Sequence, residues 1–373
     1  MRYRWLLHID LDQFQVAVER RRTPELAGVT VIVGGNGDPT EARKVVTCAS
    51  YEARASGVRA GMSLRTAYRK LPDATYLPLD LPAYEAASAE VMGVIGGFGP
   101  LEVWGLDEGY LGVGPLDDAT PVPTDDHILA LATRVRSAVA DETALTCRIG
   151  ISDNKQRAKM ATGFAKRGVV GRDGAGREFP PGVFQLDARN WLPLMGSAPA
   201  GDLWSVGPRT AATLAEMGID TVTDLIDAPK DDLIARFGPH RGNWLYVLCR
   251  GGGDSAITEA EWEAKSHSKS RTFATDLVTL DEIQAAAVEL TDELLTQVIA
   301  EKRIAVRAAV TVRTTTFSTR TTSRKLAAPT TDRERILPVI ADLLTRFDID
   351  RPVRLLGVRL DLLPIDPPID EEA

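Results

Sequence analysis

Residues 8–14, His-Ile-Asp-Leu-Asp-Gln-Phe, follow the apolar run Trp5-Leu6-Leu7 and lead into Gln15-Val16-Ala17-Val18-Glu19-Arg20-Arg21-Arg22. Residues 4–9 read as a short buried strand, and Phe14 to Arg22 carry their apolar residues at helical spacing, so Asp10 and Asp12 fall at a strand end. A second strand, Val29 to Gly34, runs into the turn-rich GGNGDPT at 34–40, and a third spans Lys44 to Ala49. Small helices fill the chain up to Pro78. At 102–114, EVWGLDEGYLGVG reads as strand, turn and strand, with Gly105 as the turn signal. Adjacent residues on a regular strand face opposite ways, so Asp107 and Glu108 reach one point only if they lie at that turn.

The 373 residues exceed a single ordinary core, and two to four domains are expected. A hydrophobic content of 44% with 26% dispersed charge fits folded domains rather than a disordered chain. No secretory leader and no membrane-length apolar stretch is present, which predicts a cytoplasmic protein. Cys48, Cys147 and Cys249 are far apart, odd in number and read as buried thiols. His8, His127, His240 and His267 have no metal-ligand spacing, and His8 reads as a packed core residue. The net charge of −8 argues against a nucleic-acid partner on average, yet Lys302 to Lys325 holds seven basic residues and no acidic one.

From Gly171 the chain turns Gly- and Pro-rich, and LWSVGPRTAATLAEMGIDTVTDLI at 203–226 then predicts a helical domain. GGGDSAITEAEWEAKSHSKS, from 251, lacks sustained periodicity and reads as a linker. Beyond it comes strand (around Arg271), helix (281–300), strand (305–314), strand (319–326), helix (332–347) and strand (353–362), the split βαβ, ferredoxin-like order. Val306, Ala308, Val310 and Val312 alternate with Arg307 and Arg313, predicting one packed and one basic sheet face. Arg320 and Arg324 on the next strand are expected to join that face against a phosphate backbone. Trp204, Trp244 and Trp262 could stack bases, but their positions favour packing.

Asp10, Asp107 and Glu108 together offer carboxylates for a pair of hard cations, the arrangement used for in-line phosphoryl transfer. Arg54 can clasp phosphate oxygens bidentately, Lys155 can add a point charge and Tyr51 a hydroxyl, with helical spacing placing Tyr51 near Arg54.

HIDLDQF (8–14), VVTCASYEARASGVRAGM (45–62), GLDEGYL (105–111) and GISDNKQRAKMA (150–161) resemble, in order and spacing, the motifs of Y-family translesion DNA polymerases of the DNA polymerase IV branch. LWSVGPRTAATLAEMGI (203–219), KSHSKSRTF (265–273), LAAPTTD (326–332) and RPVRLLGVRL (351–360) extend the similarity across nearly the whole chain. The resemblance implies an α+β multidomain protein. Its parts would be a ferredoxin-like palm (1–14 and 78–168), small fingers (15–77), a helix-hairpin-helix thumb (169–248), a linker (249–264), a ferredoxin-like little finger (265–362) and a tail (363–373). It implies that Asp10, Asp107, Glu108 and the Leu11 carbonyl hold two Mg²⁺, with Mn²⁺ as substitute, and that Tyr51, Arg54 and Lys155 grip an incoming dNTP beside Phe14. Primer-template DNA would meet the Val206-Gly207 turn, whose amides open a helix N-terminus, and the arginines of the last domain. A monomeric, error-prone, mutator-type DNA repair enzyme is the expected kind of protein.

Besides Gly105, where the family more often has Ser before LDE, two departures stand out. Where the family carries Phe or Tyr to block a ribose 2′-hydroxyl, this chain has Gln15, a polar and flexible residue, which predicts weakened exclusion of ribonucleotides. The chain ends in PIDPPIDEEA rather than a glutamine-led apolar peptide, so sliding-clamp binding through the tail is not expected. A catalytically silent, DNA-binding accessory paralogue is the alternative reading, although such a protein would be expected to have lost a carboxylate. A cyclase or nuclease sharing the metal logic would leave the thumb-like turn and the basic last domain unexplained.

Overall fold

The strand read around His8 forms because its residues are apolar on both faces, as a strand buried in the middle of a sheet requires. In the computed structural model, which describes residues 1–117, 122–169, 178–260, 263–347 and 351–364, that strand is β1 (Tyr3–Leu11). It is followed by α1 (Phe14–Arg22), β2 (Val31–Val33), β3 (Cys48–Ala49), α2 (Tyr51–Ala55), α3 (Leu64–Lys70) and β4 (Thr75–Leu77). Next come α4 (Leu81–Gly96), β5 (Leu101–Val103), β6 (Glu108–Pro115), α5 (Asp125–Thr143), β7 (Cys147–Ser152), α6 (Lys155–Lys166) and β8 (Val183–Gln185). The helices α7 (Trp191–Met195), α8 (Pro208–Glu216), α9 (Val222–Asp227), α10 (Lys230–Phe237) and α11 (Pro239–Cys249) complete a first unit, residues 1–40 and 45–260. The second unit, residues 41–44 and 261–373, holds β9 (Ser266–Leu277), α12 (Leu280–Ala300), β10 (Ala305–Thr314), β11 (Thr319–Thr330), α13 (Arg333–Leu344) and β12 (Val353–Leu362).

In the first unit β1 is the middle of a five-stranded sheet, β5-β6-β1-β7-β8. Leu7, Ile9, Leu11, Ile149 and Ile151 pack with Tyr84, Val91, Ile128 and Val135 from α4 and α5. A small sheet, β3-β2-β4, has its own core of Ile32, Val46, Ala49, Ala53, Val58, Leu64 and Ala67. The three cysteines are free and buried, as expected.

Two expected boundaries move. Residues 183–185, assigned to the helical thumb, form β8 and pair in parallel with β7, because the apolar Val183-Phe184 can be covered on both faces only by joining that sheet. The expected linker is tethered rather than free: Tyr3 N–H donates to the Ser255 carbonyl at 3.1 Å, Ile257 N–H to the Met1 carbonyl at 2.8 Å and Lys155 N–H to the Asp254 carbonyl at 2.8 Å. Ile257, 1% exposed, is the apolar anchor of that run.

The second unit follows the predicted βαββαβ order in a fully antiparallel sheet, β11-β10-β12-β9, with α12 and α13 on one face. It is a variant of the ferredoxin-like arrangement, the strand inserted into the first crossover being β12. No helix among the described residues is long and apolar enough to cross a membrane. Trp262 and the tail beyond 364 lie outside the described residues.

Candidate active site

β1 and β6 pair antiparallel with Asp10 directly opposite Glu108, so two carboxylates stand on one face with Cβ atoms roughly 5 Å apart. Asp107 lies just before β6, in the turn from β5. Gly105 makes that turn at φ +132°, a conformation that a side chain would strain. The Trp104 amide donates to the Glu108 carbonyl at 2.9 Å, and the Leu11 amide donates to the Asp107 carbonyl at 2.8 Å. The expectation that the acidic pair sits at a turn is met, and the turn is stitched to the end of β1.

Two of the three carboxylates carry a cationic partner. Lys166 Nζ lies 2.5 Å from Asp10 Oδ1. Lys159 donates to Glu108 Oε2, and the buried His8 places Nε2 3.3 Å from the same oxygen. Burial alone would raise the Glu108 carboxyl, but the His8 and Lys159 contacts outweigh it and hold the group at about 2. Asp107 goes the other way: burial, then the charges of Asp10 and Glu108, raise it above its ordinary value. His8 Nδ1 is paired with Thr162 Oγ1 at 2.8 Å, which fixes the ring, and burial lowers its affinity for a proton.

Among the described residues, no three His, Cys, Asp or Glu side chains converge as a ready cation site. Lys166 and Lys159 draw Asp10 and Glu108 to themselves. The donor set nonetheless fits a hard divalent cation, since it consists of carboxylate oxygens, and the charges of Asp10 and Glu108 that add to burial in raising Asp107 are what such a cation would neutralise.

Beside these groups is a cavity of about 380 Å³ whose wall includes Asp10, Leu11, Phe14, Gln15, Thr47, Arg54, Asp107 and Lys166. Ser50 caps α2 by accepting from the Ala53 amide, which fixes the orientation of Tyr51 and Arg54. The Arg54 guanidinium lies over the Tyr51 ring at 5.3 Å, and its Nε donates to the Ala49 carbonyl at 2.8 Å. Phe14 is 3% exposed and meets Tyr84 edge-on, a rigid apolar wall. Tyr51 is not part of the wall; its hydroxyl donates to Asp12 Oδ1 at 2.5 Å.

Lys155 is a correction. Its ammonium lies 2.7 and 2.8 Å from the two Glu102 carboxylate oxygens, faces the Trp104 ring at 5.5 Å and does not line the cavity. The reason is position along α6: Lys166 follows Lys155 by eleven positions, about 16 Å of helix rise, and only the C-terminal end reaches Asp10. Lys155, Lys159, Thr162 and Lys166 fall on one stripe of α6, so helical periodicity could have singled out Lys166. That stripe reaches the carboxylates because β7 carries Gly150, where a Cβ would stand 2.0 Å from the Ala158 carbonyl oxygen. Asp12 is no cation ligand in this geometry. Its carboxylate accepts from Tyr51 at 2.5 Å and Thr146 at 3.0 Å and pairs with Arg148 at 3.1 Å, tying α2 to β7.

The sequence and the topologies of both units have counterparts among known proteins. The impB/mucB/samB family model matches residues 9–163 and its C-terminal domain model residues 264–371, while a thumb-domain model of DNA polymerase iota matches 201–252. The protein called DNA polymerase IV 2 in Mycobacterium tuberculosis is 50% identical over 360 residues, covering 96% of this chain and 98% of that one. The chain belongs to the Y-family DNA polymerases, DNA polymerase IV branch. DNA polymerase IV of Methanoculleus marisnigri is 35% identical over 361 residues, 96% of this chain and 94% of its own. A solved Y-family DNA polymerase chimera superposes with a TM-score of 0.81 over 97% of this chain and all of that one, at 22% identity, a likeness of fold.

In this Y-family chain the thumb turn is half open. Val206 is 6% exposed and its amide donates to the Leu203 carbonyl at 3.0 Å, so it is spent on the turn and corrects the expectation of a free donor. Gly207 is exposed at the N-cap of α8, with open space where a Cβ would stand. Trp204 packs against Trp104, and Trp244 donates from Nε1 to Ser205 Oγ at 3.0 Å, both as packing anchors.

The little-finger arginines do not share one face. Register places Arg320 opposite Val312 and Arg324 opposite Ala308, which are core positions, whereas Arg307 lies opposite Lys325 and Arg313 opposite Thr319. Directly paired residues share a face, so Arg320 and Arg324 lie on the helix side, and Arg324 reaches Asp342 of α13 at 3.0 Å. The open face carries Arg307, Arg313, Lys325 and Arg359 among hydroxyl side chains, with Asp361 beside them at 3.5 Å from Arg307 and 2.9 Å from Arg359. A bulge between Ala305 and Arg307 ends the alternation early, leaving Val306 outside the core.

Proposed function

We propose that this Y-family polymerase adds nucleotides to a DNA primer at the cavity beside Asp10 and Asp107, in error-prone translesion synthesis, and that Gln15 relaxes its exclusion of ribonucleotides. The observation that carries the reading is that one cavity wall gathers two of the carboxylates, two cationic groups and Gln15. When bound, divalent cations on Asp10, Asp107, Glu108 and the Leu11 carbonyl would activate the primer hydroxyl and neutralise the pyrophosphate.

The chain's own residues do the rest. Arg54, with Nε anchored on Ala49, presents the remaining edge of its guanidinium to phosphate oxygens, and Lys166, released from Asp10, adds a point charge. Lys159 and His8 keep Glu108 ionised. Phe14 backs the sugar and base, and Gln15 stands where an aromatic ring would otherwise exclude a 2′-hydroxyl. The open face of β10 supplies phosphate contacts from Arg307 and Arg313, so DNA affinity falls with salt.

Primer extension with Mg²⁺ or Mn²⁺, dNTPs or rNTPs, and wild type or Asp107→Ala tests this. Extension abolished by Asp107→Ala supports the polymerase, and rNTP use that Gln15→Phe suppresses supports the relaxed gate. DNA binding without extension by the wild type would favour the accessory reading.

A further inference from the structure

Gln15 and Thr47 both line the cavity, and the Thr47 hydroxyl donates to Gln15 Oε1 at 2.7 Å. That hydroxyl also lies 3.1 Å from the Val33 carbonyl oxygen, the longer of its two contacts. A hydroxyl has one proton to give, and the shorter contact to Gln15 takes it. A side-chain amide is an acceptor at one end and a donor at the other. With Oε1 held by Thr47, the end left for a ligand is Nε2, which has no acceptor among the described residues and is not buried. Thr47 is itself well fixed: it is bonded to β2 through its backbone, and its β-branched side chain has few rotamers.

We propose that Thr47 is a positioning residue for sugar selection, which orients Gln15 so that its amide N–H meets the 2′ position of the incoming nucleotide. A ribose 2′-hydroxyl accepts that hydrogen bond, and a deoxyribose 2′-carbon cannot. The pair therefore recognises ribonucleoside triphosphates instead of merely leaving room for them. The inference rests on the reading of Gln15 as the residue beside the sugar, and goes beyond it by making the side chain an oriented donor rather than a flexible wall.

The test compares the rNTP to dNTP ratio of kcat/KM in wild type, Thr47→Val, Thr47→Ser, Gln15→Met, the Thr47→Val/Gln15→Met double variant and Gln15→Phe. Thr47→Val keeps the shape and removes the hydroxyl; it lowers the ratio roughly three- to tenfold, the worth of one hydrogen bond, through the ribonucleotide KM. Thr47→Ser restores it. Gln15→Met, which keeps length without a donor, lowers the ratio as well, and Thr47→Val then adds nothing, since the two act as one unit. A ratio that Gln15→Phe lowers but Thr47→Val and Gln15→Met leave unchanged overturns this inference alone. A ratio that Gln15→Phe does not change overturns both this inference and the sugar-gate reading beneath it. Circular dichroism and urea unfolding of each variant verify that it has folded.

Discussion

Lys155 and Lys166 lie on the same stripe of α6 and make opposite predictions. Lys166 reaches the cavity through Asp10 at 2.5 Å, so Lys166→Ala should raise the KM for dNTPs roughly tenfold or more, as loss of a charge-assisted contact does, with little change in unfolding midpoint. Lys155 is buried against Glu102, so Lys155→Ala leaves that carboxylate without its cation and should cost roughly 3 kcal/mol in urea unfolding before it affects substrate binding. The carboxylates themselves predict a pH dependence for the metal-free protein. Glu108 is held at about 2, below its ordinary 4.5, so the unfolded chain binds the extra proton. The stability from this group is fully present above about pH 4.5 and is lost as pH falls towards 2, a difference on the order of 3 kcal/mol. Urea unfolding at pH 6 and pH 3 should show about 2 kcal/mol of that loss in wild type and less of it in Glu108→Gln.

At the level of elements, the close approach of α6 to β7 is set by Gly150. A Cβ there would meet the Ala158 carbonyl oxygen at 2.0 Å and the Thr162 amide at 2.3 Å, both backbone atoms that cannot turn aside. Gly150→Ala should therefore destabilise by at least about 1–3 kcal/mol and shift Lys159 and Lys166 off their carboxylates, read as lost stability together with lost extension. The little-finger sheet gives a second test. Arg307 and Arg313 lie on the open face and Arg324 on the helix face, tied to Asp342. Arg307→Ala and Arg313→Ala should each reduce the slope of log affinity against log salt by about one, and Arg324→Ala should leave that slope unchanged. Alternation along β10 places the first pair on the open face, as the register does. It failed for the second because a residue's face on β11 is set by its register with β10, which strand periodicity does not contain.

At the scale of the whole molecule, the second unit has a core of its own, with Leu290, Leu294, Val310, Ile340, Val358 and Leu360 buried among α12, α13 and the sheet. Residues 261–373 expressed alone should therefore unfold cooperatively in a thermal melt monitored by circular dichroism. By itself the sequence determined the element order of that unit, the strand-end placement of Asp10, the turn at Asp107 and Glu108, and the Tyr51 and Arg54 pair, because strand alternation, turn chemistry and helical spacing act over a few residues. Only the tertiary structure decided that β8 joins the sheet of β1, that residues 254–257 run along the N-terminal strand and that Lys166 rather than Lys155 reaches the cavity. The same is true of Thr47 holding Gln15 by its acceptor end. Those outcomes depend on which distant surfaces must cover one another and which polar groups then find partners, and no local pattern in the chain encodes either.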